Sequence, residues 1–201
     1  MTRTRYSMAL LVWISLLCGG CSTESAIKNT LNSYDLLDAR STCCTNLKDL
    51  TFSPLVPAAR AKYMHDRSFN VIKVDGSNAY ARGFSLPANS AKDTVRIRSN
   101  MSGVKQSVAK PAILLLDKNF EVLATIDQPD YRLEFGLTEN DGFAALVPLI
   151  GKSLHARYIV IYTSSALRGA ATSKCSAGYA GQSCPWLAVD PEGTVSVELL
   201  E

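Results

Sequence analysis

Histidine and tryptophan are scarce in this chain of 201 residues, with two of each, and neither charge sign prevails: 21 Lys and Arg face 18 Asp and Glu. The two histidines, His65 and His155, lie far apart in sequence, so the clustered spacing of a zinc centre is missing. A near-balanced charge lacks the basic excess that a phosphate backbone demands, which argues against nucleic acid as a partner. Arg3 and Arg5 lie in a segment read below as removed, which brings the remaining chain closer still to neutrality. No apolar run reaches the roughly 20 residues of a membrane-spanning helix. No Gly-x-Ser-x-Gly elbow, phosphate loop, dinucleotide fingerprint or His-Glu-x-x-His helix occurs. The acids Glu121, Asp127, Asp130, Glu134 and Glu139 fall at strand ends and turns, where solvated carboxylates are ordinary. The chain therefore reads as non-enzymatic, without a cofactor or metal.

What is present begins with an address. Arg3 and Arg5 precede the apolar run Met8–Leu17, and Cys18-Gly19-Gly20-Cys21 follows it. An apolar core of about ten residues, closed by small ones, has the form of a secretory signal. The small pair before Cys21 resembles a bacterial lipoprotein signal, with residues 1–20 removed and Cys21 acylated as the first residue of the mature chain. Cys18 competes poorly, because bulky Leu16-Leu17 stands where such signals place small residues. Several acyl chains make membrane attachment stable where a single chain is marginal. Residue 22 is Ser and not Asp, which by the same resemblance implies the periplasmic face of the outer membrane.

Removal of Cys18 and acylation of Cys21 leave Cys43, Cys44, Cys175 and Cys184, an even set suited to an oxidising compartment. Four cysteines allow three pairings. The Gly-containing loop between Cys175 and Cys184 closes easily and favours a local bridge there, stabilising by roughly 2–3 kcal/mol. Cys43 and Cys44 then bond to each other, or else pair with the late cysteines and staple the two ends of the chain.

Residues 21–42 form a tether, with Ile27, Leu31, Tyr34 and Leu36 or Leu37 at helical spacing. A spacer off the membrane and an arm packed on the domain both fit that pattern. From Phe69 onward the period is two. Val95, Ile97, Ser99 and Met101 alternate with Arg96, Arg98 and Asn100, as in a strand with one buried and one wet face. Further strands are expected at 70–74, 79–86, 112–116, 122–126, 131–135, 143–148, 158–163 and 194–199, separated by turns such as Asp75-Gly76 and Asp117-Lys118-Asn119. Many short strands without alternating helices predict a mainly β chain, with residues 43–201 an antiparallel, jelly-roll-like β-sandwich. Residues 165–190 read as a long excursion from one edge. Arg96 and Arg98, with Lys105 and Lys110, offer either a surface for an acidic partner or a merely solvated strand face. Tyr179 and Trp186, at the disulfide loop, are the aromatic side chains best suited to stack on a sugar ring.

Three stretches, Ala79–Ala88, Lys110–Phe120 and Arg157–Ser164, together with Gly193-Thr194-Val195-Ser196-Val197, resemble the maltose operon periplasmic protein family over roughly residues 43–201. The resemblance implies a periplasmic β-sandwich associated with maltose and maltodextrin uptake, with no catalytic residues to carry over. The expectation is a lipid-anchored, non-enzymatic protein whose partners are the membrane, through Cys21, and a carbohydrate or an uptake protein. The rival expectation is an envelope structural or assembly lipoprotein that binds another protein and no sugar.

Overall fold

Two kinds of strand sequence set the architecture: short runs that are apolar throughout, as in Ala112–Leu116 and Tyr158–Tyr162, and runs that alternate, as in Thr94–Asn100. The first kind suits a sheet covered on both faces, the second a sheet with one face in water. The computed structural model describes residues 21–57, 59–65, 68–88, 94–102, 105–135, 141–163, 167–173 and 186–200. Its elements are helix α1 (Cys21–Asp38) and strands β1 (Phe52–Pro54), β2 (Ala61–His65), β3 (Asn70–Val74), β4 (Ser77–Ser85), β5 (Thr94–Asn100), β6 (Ser107–Val108), β7 (Ala112–Leu116), β8 (Val122–Ile126), β9 (Arg132–Glu134), β10 (Gly142–Pro148), β11 (Tyr158–Tyr162), β12 (Ala171–Ser173), β13 (Trp186–Val189) and β14 (Gly193–Leu200). Short 3-10 turns lie at Leu47–Asp49 and Gly151–His155.

The strands make a six-stranded sheet in the order β1-β4-β11-β7-β8, with β3 also on β4, and a five-stranded sheet in the order β2-β14-β5-β10-β9. Phe84, Ile113, Leu115, Ile159 and Ile161 of the first meet Val95, Ile97, Val147, Val195, Val197 and Leu199 of the second in one dry core. This is the expected mainly β sandwich, antiparallel except where β1 joins β4 and β13 joins β6. One expectation needs correction. The described parts of 165–190 are not only an excursion, because β12 and β13 form a third sheet with β6.

The six-stranded sheet buries its second face as well. Ala79, Ala81, Ala112, Leu114, Leu116, Val160 and Tyr162 lie beneath Cys44, Leu47, Leu50, Phe52 and Phe120, so residues 44–52 act as a lid of covalently continuous chain. Gly83 makes room for it: a Cβ there would come within 2.6 Å of the Phe52 ring. The tight turn after β7 is held by Asp117, whose Oδ1 accepts from the Asn119 and Glu121 amides at 2.7 and 2.9 Å. Phe120 takes φ 65° there, a left-handed conformation that an aromatic residue rarely adopts. Its ring stacks on Tyr158 at 4.4 Å between centroids, and burial in that cluster offsets the strain.

The N-terminal segment is helical and packed, which favours the arm over the spacer. Its buried stripe differs from the one expected. Ala26, Thr30, Ser33, Tyr34 and Leu37 are buried, whereas Leu31 and Leu36 are exposed. Helix α1 packs on β13 and β4, with Ala26, Thr30 and Ser33 giving its buried stripe small side chains, and Ala188 of β13 is fully buried. The two hydroxyls tolerate burial because Thr30 donates to the Ile27 carbonyl at 2.8 Å and Ser33 to the Asn29 carbonyl at 3.3 Å.

Candidate functional site

The last turn of α1 leaves carbonyl groups that need donors. Asn78, at the start of β4 just beyond the Asp75-Gly76 turn, supplies them: its Nδ2 donates to the carbonyls of Leu37, Asp38 and Arg40 at 3.3, 3.1 and 2.7 Å. Arg168 holds the same turn from the other side, donating to Asp35 at 3.0 Å and Asp38 at 2.5 Å, with its guanidinium 5.5 Å from the Tyr34 ring centre. Arg40 lies 5.7 Å from the centre of the Tyr80 ring. The chain then crosses β3, where the Cys43 amide donates to the Val71 carbonyl at 2.8 Å. Between the helix end, this crossing and the β3–β4 hairpin is an open groove of about 590 Å³, lined by Asp38, Arg40, Ser41, Thr42, Lys73, Gly76, Ser77 and Asn78.

Cys43 and Cys44 border this groove in sequence and are disulfide-bonded to each other, with Cα atoms 3.8 Å apart. The alternative in which both pair with the late cysteines is therefore not the one adopted. Cys43 is exposed, while Cys44 is half-buried against the covered face of the six-stranded sheet. A bridge between neighbours encloses almost no chain, so the loop-entropy relation assigns it only about 1 kcal/mol against about 3 kcal/mol for a 15-residue loop. Fold stability is a weak reason for this ring.

The other expected site residues are scattered. Cys175, Tyr179 and Cys184 lie outside the described residues. Trp186 heads β13 opposite Ser173, more than half exposed, and is not at the groove. Cys21 begins α1. The expected wet basic face is corrected. Arg98 is 5% exposed, donating to Asn100 Oδ1 at 2.6 Å, with its Nε 3.6 Å from Glu134. Arg96 bridges Glu134 and Glu198, the latter at 3.4 Å. Lys105 pairs with Glu192 at 3.4 Å, and Lys110 donates to Thr172 at 2.9 Å with its Nζ 4.9 Å from the Phe143 ring centre. Cross-strand pairing explains this: the register sets Arg96 opposite Glu198, and β9 brings Glu134 alongside.

Four titratable groups, Tyr34, Lys110, Tyr162 and Asp190, are shifted from their ordinary pKa values, burial being the first cause in each. Burial pushes the Tyr162 phenol up, and its hydrogen bond to Asp127 at 2.7 Å adds to the shift, so it stays protonated. Burial likewise raises Asp190, which accepts from Ser107 and from the Glu192 amide, and lowers Lys110. Tyr34 is raised by burial and by nearby Asp190. Among the described residues no group of three or more His, Cys, Asp or Glu side chains is placed to hold a metal.

Sequence reasoning missed the groove. Arg40, Lys73 and Asn78 carry no motif, and only the Asp75-Gly76 turn signalled that the hairpin next to them would be tight. A family model described as "Maltose operon periplasmic protein precursor (MalM)" matches residues 76–185, just over half of the chain. It takes in Gly76, Ser77 and Asn78 of the groove and stops one residue before Trp186. No curated protein and no solved structure matches this chain.

Proposed function

Because the chain belongs to the maltose operon periplasmic protein family, we propose that it is a non-enzymatic binding protein of the periplasm. In this reading it is held to the outer membrane by acyl chains on Cys21 and assists maltodextrin uptake by binding carbohydrate or an uptake protein. The family match carries the reading. It is supported by the absence of a catalytic signature in the sequence and by ion pairs that tie Arg96, Arg98 and Glu134 to one another.

In the anchoring reading, α1 sets how far the domain stands from the membrane. Ala26 is buried little more than one helical turn after Cys21, so an acylated Cys21 would hold the domain close against the lipid rather than on a long leash. Intact-mass measurement of the protein from its own membranes tests this: a mass increment of acyl chains on Cys21, lost with release to the soluble fraction in Cys21→Ser, is expected. Unchanged membrane attachment of Cys21→Ser would overturn it. Calorimetric titration with maltohexaose tests the carbohydrate reading, with saturable heat expected. No heat, together with pull-downs that recover envelope-assembly machinery and no uptake component, would replace it by the scaffold reading.

A further inference from the structure

We propose that the Cys43–Cys44 disulfide is a thiol–disulfide exchange site, at which an incoming thiolate attacks Cys43 and displaces Cys44. The site is separate from the carbohydrate and membrane readings, neither of which uses it. Its bond joins neighbours in sequence, whose Cα atoms the peptide between them holds 3.8 Å apart. Relaxed disulfides span about 5.5–6 Å between Cα atoms, and a departure of this kind makes a bond easier to reduce. The fold also does little to protect it. A bridge and a fold stabilise each other equally, so a bond that adds little to the fold gains little from it. For a ring of two residues the loop-entropy relation makes that protection about twentyfold smaller than for a bridge closing 15 residues.

The two cysteines are unequally placed. Cys44 is half-buried and packs, with Leu47 and Phe52, on the apolar cluster over the six-stranded sheet. Cys43 is exposed, as are Ser41 and Thr42 before it and Thr45 and Asn46 after the ring. An incoming thiolate therefore reaches Cys43 first, and Cys44 is the leaving sulfur. Cys44 Sγ lies 3.8 Å from the Asp49 carbonyl oxygen, so the released thiol has an acceptor without any movement of the chain.

In the first step a bond forms between the incoming sulfur and Cys43 Sγ, and the Cys43–Cys44 bond breaks. Its electron pair leaves on Cys44, which takes a proton from solvent. A second thiolate attacks the incoming sulfur of this mixed disulfide and releases Cys43, which is protonated in turn. The protein disulfide is thus reduced to two thiols by two electrons and two protons, while two thiols, or one dithiol, are oxidised to a disulfide. The surroundings do not depend on the bond. The Cys43 amide donates to the Val71 carbonyl at 2.8 Å, the Asn46 amide to the Asp49 carboxylate at 3.2 Å, and the Asp49 amide to the Asn46 carbonyl at 3.1 Å. These bonds keep residues 44–52 seated on the sheet, so the reduced chain stays folded.

The test is incubation of the full mature chain, folded and in urea, with reduced glutathione as a monothiol probe and reduced thioredoxin as a dithiol probe. Trapping with N-ethylmaleimide and peptide mass spectrometry read Cys43 and Cys44 apart from the late cysteines. The folded chain is expected to be reduced at Cys43 and Cys44 within about tenfold of the rate in urea, because an exposed bond needs no unfolding. Its far-UV circular dichroism should not change. The probe that acts at the lower concentration identifies the partner as a small thiol or a protein dithiol. Reduction in urea alone, or loss of the fold on reduction, would overturn the site. Single variants test the direction of attack. With oxidised glutathione, Cys44→Ser is expected to take up glutathione on Cys43 about tenfold faster than Cys43→Ser does on Cys44, since reactivity follows exposure. Equal rates would overturn the assignment of Cys43 as the attacked sulfur.

Discussion

The two large sheets share one core and treat their outer faces in opposite ways. The six-stranded sheet is roofed by its own chain, residues 44–52 and Phe120, so Leu114 and Leu116 on its far side are as dry as Leu115 in the core. The five-stranded sheet has no such apolar roof among the described residues and fills its outer face with a ladder, in which Arg60, Glu198, Arg96, Glu134 and Arg98 alternate in sign across the strands. Leu146 on that face is 61% exposed. A roof stabilises through burial and shape, and a charge ladder through geometry and partial desolvation; burial is worth more per residue.

The sharpest way to break the comparison is to place a carboxylate on each outer face. Leu114→Asp should cost about 4 kcal/mol or more, from the lost apolar burial and an unpaired buried acid. Leu146→Asp should stay within about 0.5 kcal/mol. Urea unfolding of both variants measures the contrast, and equal costs would mean that the roof is not closed. Gly83→Ala comes next: its methyl would meet the Phe52 ring, and a cost of about 1–3 kcal/mol is expected. Adding Phe52→Ala should recover part of that cost, so the double variant is less destabilised than the two single effects combined. Arg96→Met on the charged face should cost about 1 kcal/mol at low salt and less in 1 M salt, because its partners are partly exposed.

The smallest effect concerns Asp190, at the end of β13 near the helix. Burial raises its folded-state pKa above that of the unfolded chain. The folded protein thus prefers the protonated acid, and the stability this contributes is fully present below the unfolded pKa and lost as pH rises through the folded one. Asp190→Asn removes that slope. Denaturant melts across the carboxylate range should show the variant gaining on the wild type with rising pH, and parallel curves would refute the assignment.

Much of the sandwich follows from local pattern. Alternation in Thr94–Asn100 and the apolar run Ala112–Leu116, each bounded by turn residues, place strands where they occur, because side-chain period and turn chemistry are properties of neighbours in sequence. The same locality explains what was missed. β1, β6, β12 and β13 are two to four residues long, too short to show a period, and exist because distant segments supply their hydrogen-bond partners. Helical spacing announced α1 but picked Leu31 over Thr30 for its buried stripe, since only packing against β13 reveals that small side chains are wanted there. By itself, then, the sequence determined the strand-rich class, the principal strands and turns, and the family resemblance. The tertiary structure alone decided that Cys43 bonds Cys44, that Arg98 is buried among its partners, and that Asp38, Thr42, Lys73 and Asn78 share one groove. Those outcomes depend on which remote segments meet, and that choice comes from the summed burial and pairing of the whole chain rather than from any local run of residues.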